Sequence, residues 1–104
     1  MTQELRKLVI VCPNEVLDDI TEAFLEASPA LPGFTSFVAN GHGHDFASAS
    51  AREHVRGHVS RRCVWMILSQ VEVGHALDVL RAATRNPHVA YWIEPVLEFG
   101  HVSS

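Results

Sequence analysis

Arg62-Cys63-Val64-Trp65-Met66-Ile67-Leu68-Ser69 is the stretch that decides the fold. A short apolar run rich in β-branched and aromatic residues reads as a buried strand. Successive strand residues point to opposite faces, so Cys63, Trp65 and Ile67 share one side and Val64, Met66 and Leu68 the other. Both sides are apolar, as expected of a central strand covered on each face. The next residues, Ser69-Gln70-Val71-Glu72, form a capping box. Val73, Ala76, Leu77, Leu80 and Ala83 then recur at helical spacing, and Asn86-Pro87 closes the helix.

The same reading extends outward. Upstream, Leu8 to Cys12 (LVIVC) is a first strand, and Asn14 is placed to cap a helix whose apolar face is Val16, Leu17, Ile20, Ala23, Phe24 and Ala27. Pro29 and Pro32-Gly33 end that helix and lead into a second strand, Gly33 to Asn40. Downstream, His88 to Glu94 is a fourth strand broken by Pro95, with Val96 to Phe99 a short extension. The order is βαββαβ: an α+β, ferredoxin-like antiparallel sheet with two helices on one face, in a single domain over residues 1–104. Two helices cover only one face. The other side of the third strand would then lie bare, so self-association is expected.

Bulk properties narrow the function classes. A net charge of −4 argues against a nucleic-acid partner. No secretory h-region and no apolar run long enough to span a bilayer appears, so neither membrane insertion nor export is expected and a cytoplasmic location is the default. Cys12 and Cys63 sit in strand patterns and read as buried, reduced thiols.

The remaining chemistry gathers in the long connection between strands two and three, residues 41 to 62. Four of the chain's seven histidines fall here, in His42-Gly43-His44-Asp45, Glu53-His54 and His58. Imidazole and carboxylate suit zinc, copper or nickel. His42 and His44 share a side if extended, while His54 and His58 share a face of a short helix started by Ser50 and Glu53. The candidate metal set is therefore His42, His44, Asp45, His54 and His58. A second candidate set suits an anion: Gly41 and Gly43 offer backbone N–H groups, and Arg56, Arg61 and Arg62 offer charge-assisted hydrogen bonds. His75, His88 and His101 lie apart. No nucleophile elbow, P-loop or zinc-protease pattern is present, so binding rather than catalysis is expected.

Asn40-Gly41-His42-Gly43-His44 resembles the Gly-x-Gly entry to the loop of PII signalling proteins. Ser48 to Arg62 is similar to that loop's exit, and Tyr91-Trp92-Ile93-Glu94-Pro95-Val96 resembles the PII fourth-strand segment. The likeness extends to a small PII-like branch associated with heavy-metal efflux systems, and to the CutA proteins of similar plan. It implies a homotrimer that senses a small ligand, such as a metal ion, an adenine nucleotide or another anion, through the 41–62 loop and modulates a partner such as a membrane transporter or efflux component. Metal buffering without a signalling target is the alternative. Nucleotide-binding PII proteins carry glycine and lysine in the turn before strand four. Here that turn, Arg81-Ala-Ala-Thr-Arg85-Asn-Pro-His88, has neither, and Arg81 and Arg85 are its cations.

Overall fold

Six apolar residues in a row must divide between two faces of a sheet, and they do. A computed structural model describes residues 4–43 and 59–103. Val64, Met66 and Leu68 are at most 2% exposed, whereas Trp65, between them, is 42% exposed. The elements run β1 (Leu5–Pro13), a single 3-10 turn (Asn14–Val16), α1 (Leu17–Glu26), β2 (Phe34–Gly41), β3 (Val59–Ser69), α2 (Gln70–Ala83) and β4 (Ala90–Val96). The four strands form one sheet in the order β2-β3-β1-β4. Every neighbouring pair is antiparallel. This is the expected α+β, ferredoxin-type arrangement.

The core lies between the sheet and the helices. Leu8, Ile10 and Cys12 from β1 and Val64, Met66 and Leu68 from β3 meet Ile20 and Phe24 of α1 and Ala76 and Leu80 of α2. The capping box at the start of α2 forms as its sequence requires. The Glu72 carboxylate accepts from the Ser69 backbone N–H at 2.8 Å and from its hydroxyl at 2.9 Å. The Gln70 N–H donates to the Glu4 carbonyl, tying the helix start to the entry of β1.

β3 begins at Val59 rather than Arg62, so residues 59–62 belong to the strand and not to the connection, and three further departures have a local reason. Asn14 does not cap α1: its side chain donates to the Ser60 hydroxyl at 3.2 Å, and the 3-10 turn precedes the helix instead. β4 starts at Ala90 rather than His88, because the Asn86 side chain and carbonyl accept the His88 and Val89 N–H groups and hold them in a turn. Pro95 does not break β4. It sits in register with Arg6 on an edge strand, where a missing N–H facing outward costs nothing.

The open face is less uniformly apolar than its sequence implies. Val9 is buried there, flanked in register by Trp65 and Trp92, and Cys63 is buried beside Phe37. The Phe37 and Trp65 rings meet edge to face at 4.8 Å. Across them runs a polar seam: Lys7 Nζ stands 3.5 Å over the Trp65 ring and 4.0 Å from Glu94, whose other carboxylate oxygen accepts the Trp92 indole N–H at 2.7 Å. Trp92 remains 47% exposed, so two indoles still face water in the protomer. No helix among the described residues is long and apolar enough to cross a membrane.

Candidate ligand site at one end of the sheet

The strands β2 and β3 deliver both ends of the long connection to one place. Gly41 pairs with Val59, Asn40 with Ser60, Ala39 with Arg61 and Val38 with Arg62. Of the anion set, Gly41, Gly43, Arg61 and Arg62 are therefore at the rim of the sheet, and His42 of the metal set lies between the two glycines, exposed. Arg56, His44, Asp45, His54 and His58 lie outside the described residues. Among the described residues no three His, Cys, Asp or Glu side chains converge on one point.

The absence of a side chain at Gly41 makes room for Arg61. A Cβ there would come within 3.2 Å of Arg61 Cγ and 3.4 Å of the Val59 carbonyl oxygen. Gly41 and Arg61 thus occupy the open side of the sheet. Arg62, one residue on, takes the helix side with its register partner Cys12. The two arginines, grouped together by their position in the sequence, straddle the sheet. Arg62 Nε is buried and has no hydrogen-bond partner among the described residues.

The guanidinium charges register on the neighbouring thiol. Burial, reinforced by Cys63, pushes Cys12 from 9.0 up to about 11, against the opposing pull of Arg62 and, more weakly, Arg61. Burial raises Cys63 as well. Both thiols are free and stay protonated near neutral pH, which suits packing rather than metal ligation or nucleophilic attack.

A second basic recess lies at the same end of the sheet but at its other edge. β4 begins at Ala90, paired with Val11, one step along β1 from the partner of Arg62. The turn from α2 into β4 encloses a hollow of about 180 Å³ whose lining includes Arg81, Thr84, Arg85 and Tyr91. Arg81 donates to the Tyr91 hydroxyl at 3.2 Å and lies 3.9 Å from Asp78. The sequence placed these two arginines as the cations of the turn before β4; the contact with Tyr91 comes from the tertiary fold. β3, which carries Arg61 and Arg62, and β4 are separated by one intervening strand, so roughly 10 Å of sheet divides the two basic groups in one protomer. Of the histidines read as apart from the loop, His75 donates through Nε2 to the Pro29 carbonyl at 2.7 Å.

A family model described as a protein of unknown function (DUF3240) matches residues 1–103. Among solved structures, a DUF3240 family protein from Shewanella baltica superposes with a TM-score of 0.77 at 20% identity, covering 99% of this chain and 100% of that one. The PII protein of Arabidopsis thaliana, bound to citrate, superposes with a TM-score of 0.70 at 12% identity, covering 90% of this chain and 78% of that one. No curated protein matches the sequence.

Proposed function

The chain belongs to the DUF3240 family, whose function is unknown, and on its PII-like fold we propose a regulatory protein that senses a small anion. Copies assemble through the open face, as a homotrimer, and the ligand lies where the β2–β3 end of one copy approaches the α2–β4 turn of the next. The observation behind this reading is the placement of the basic groups. Gly41 on the edge strand β2, with Arg61 and Arg62 on the adjoining β3, and Arg81 and Arg85 beside the opposite edge strand β4 all lie at the same end of the sheet. Closing copies into a ring brings opposite edges together. We take the ligand to be an adenine nucleotide or a polycarboxylate, of the size and charge of the citrate bound to the Arabidopsis protein. Gly41 and Gly43 supply backbone donors, and Arg56 and Arg62 supply charge.

Occupancy changes the surface that the 41–62 connection offers a partner, for which we propose a membrane transporter or efflux component. The protein itself works in the cytoplasm and by binding, not catalysis. A divalent transition metal held by His42, His44, Asp45, His54 and His58, with or without a signalling target, is the second reading. It is favoured by the histidine density next to Gly41 and Gly43.

Calorimetric titration separates the two. Citrate and ATP should bind, and Arg62→Ala and Arg85→Ala should each weaken that binding by about ten- to a hundredfold, the loss expected for a hydrogen bond to a charged group. Anion affinity unchanged in both variants sinks the first reading. Zinc, copper or nickel affinity unchanged by His42→Ala and His44→Ala together sinks the second.

A further inference from the structure

The turn from α2 into β4 engages its acceptors internally and keeps its donors. The Tyr91 hydroxyl accepts from Arg81 Nη2 at 3.2 Å, and the Thr84 hydroxyl accepts the Asn86 N–H at 3.1 Å. Asn86 accepts through both of its oxygens, from the His88 N–H at 2.8 Å and from the Val89 N–H at 3.2 Å. What stays uncommitted among the described residues is the proton of each hydroxyl and the amide NH2 of Asn86. Arg85 adds a guanidinium that forms no ion pair with any described residue. All of these groups line one hollow of about 180 Å³. Tyr91 reaches it because its register partner is Ile10, which puts the phenol on the helix side of β4, under the end of α2.

A hollow that presents donors and positive charge, with its own acceptors engaged, suits an oxyanion and rejects a cation. Two features oppose an anion: Asp78, 3.9 Å from Arg81, and the C-terminus of α2, which carries about half a negative charge. The two guanidinium charges exceed that sum. Size narrows the occupant further. The hollow is smaller than the ~300–1,000 Å³ that encloses a whole small ligand, so it admits one acid group and not an entire nucleotide.

We infer that this hollow is a single-group oxyanion pocket, in which the Tyr91 and Thr84 hydroxyls donate to one carboxylate or phosphate and Arg85 supplies the facing charge. The inference rests on the anion-sensing reading and deepens it by naming which part of the ligand enters the α2–β4 turn. Arginine attracts any anion, whereas two hydroxyls held at fixed points select for separate oxygens on one group. Every residue named belongs to a single protomer, so the pocket is complete without a second copy.

The test is calorimetric titration of the full chain, with citrate and inorganic phosphate as separate probes. Tyr91→Phe and Thr84→Val should each weaken binding about tenfold, the loss expected for one hydrogen bond to a charged group, with the parent's circular dichroism retained. Thr84→Ser, which restores the hydroxyl, should bind as the parent does. A loss confined to citrate assigns a carboxylate to the pocket, and one confined to phosphate assigns a phosphate group. Affinity for both probes unchanged in Tyr91→Phe and Thr84→Val, while Arg62→Ala still weakens it, overturns this inference and leaves anion sensing standing. Thr84→Ser binding as poorly as Thr84→Val also overturns it, because the hydroxyl would then have no part in the contact. A parent that binds neither probe, nor ATP, overturns both.

Discussion

The two faces of the sheet are built from the same strands, residue by alternate residue, and meet opposite fates. On the helix side Leu8, Ile10, Cys12, Val64, Met66 and Leu68 are no more than 2% exposed and belong to one core. On the other side Trp65 and Trp92 stay half in water, Lys7 and Glu94 cross between them, and Val9, Val59 and Cys63 are sealed. The helix side is complete within one chain, so its energetics belong to folding. The open side is incomplete, so its energetics are shared between folding and association. Composition does not distinguish the faces in β3, where both are apolar; only the location of the two helices does.

The sharpest way to break this contrast is to cut into each face. Met66→Ala removes a fully buried side chain of the helix side and should destabilise the protein by about 4 kcal/mol, seen as a fall in the urea midpoint at every protein concentration. A midpoint that recovers as concentration rises would mean that this face too is completed by association.

Next in size is the buried thiol. Below pH 9 the Cys12 thiol is protonated in both folded and unfolded chains, and its contribution is whole. From 9.0 to about 11 the unfolded chain releases this proton while the folded one retains it, so stability falls with rising pH. The loss should reach about 2–3 kcal/mol across that window, and Cys12→Ala should remove most of the slope. A slope unaltered by that substitution would place the alkaline loss elsewhere.

Trp65→Ser tests the other face. It forfeits the Phe37 edge contact and the Lys7 cation, for about 1–2 kcal/mol in a dilute protomer. The signature to look for is concentration dependence: parent and variant should differ more as concentration rises, because the parent alone gains from association. Equal differences at all concentrations would make Trp65 a purely intrachain residue.

The smallest effect lies at the rim. Gly41→Ala should change stability by less than about 1 kcal/mol, since Arg61 needs to retreat only a few tenths of an ångström. Its coupling to Arg61→Ala in a double-mutant cycle should nonetheless be measurable, at about 0.5 kcal/mol. Strict additivity would show that the glycine is not there to make room for the arginine.

Element types could be read from the chain because each carries a local physical signature. The capping box at Ser69–Glu72 fixes the start of α2 through bonds three residues apart, and β-branched runs mark β1 and β3 wherever they pack. Boundaries were harder to read where a distant partner competes. Asn14 has the chemistry of a helix cap, yet Ser60, across the sheet, takes its side chain. Pro95 reads as a strand breaker until β4 proves to be an edge.

At the candidate site the residue types were legible, but not their grouping. Arg61 and Arg62 are adjacent in sequence and opposed across the sheet, whereas Arg81 and Tyr91 are far apart in sequence and hydrogen-bonded. Alternation along a strand and pairing between strands therefore overrule proximity along the chain. What the amino-acid sequence determined by itself was the set of elements and their order, since periodicity and caps act over three or four residues. Which side of the sheet each arginine takes, which face is left uncovered and where the hollow beside Tyr91 opens were decided only by the tertiary structure. Those features depend on the order in which the strands lie side by side, and that order is set by long-range burial rather than by any local run of residues.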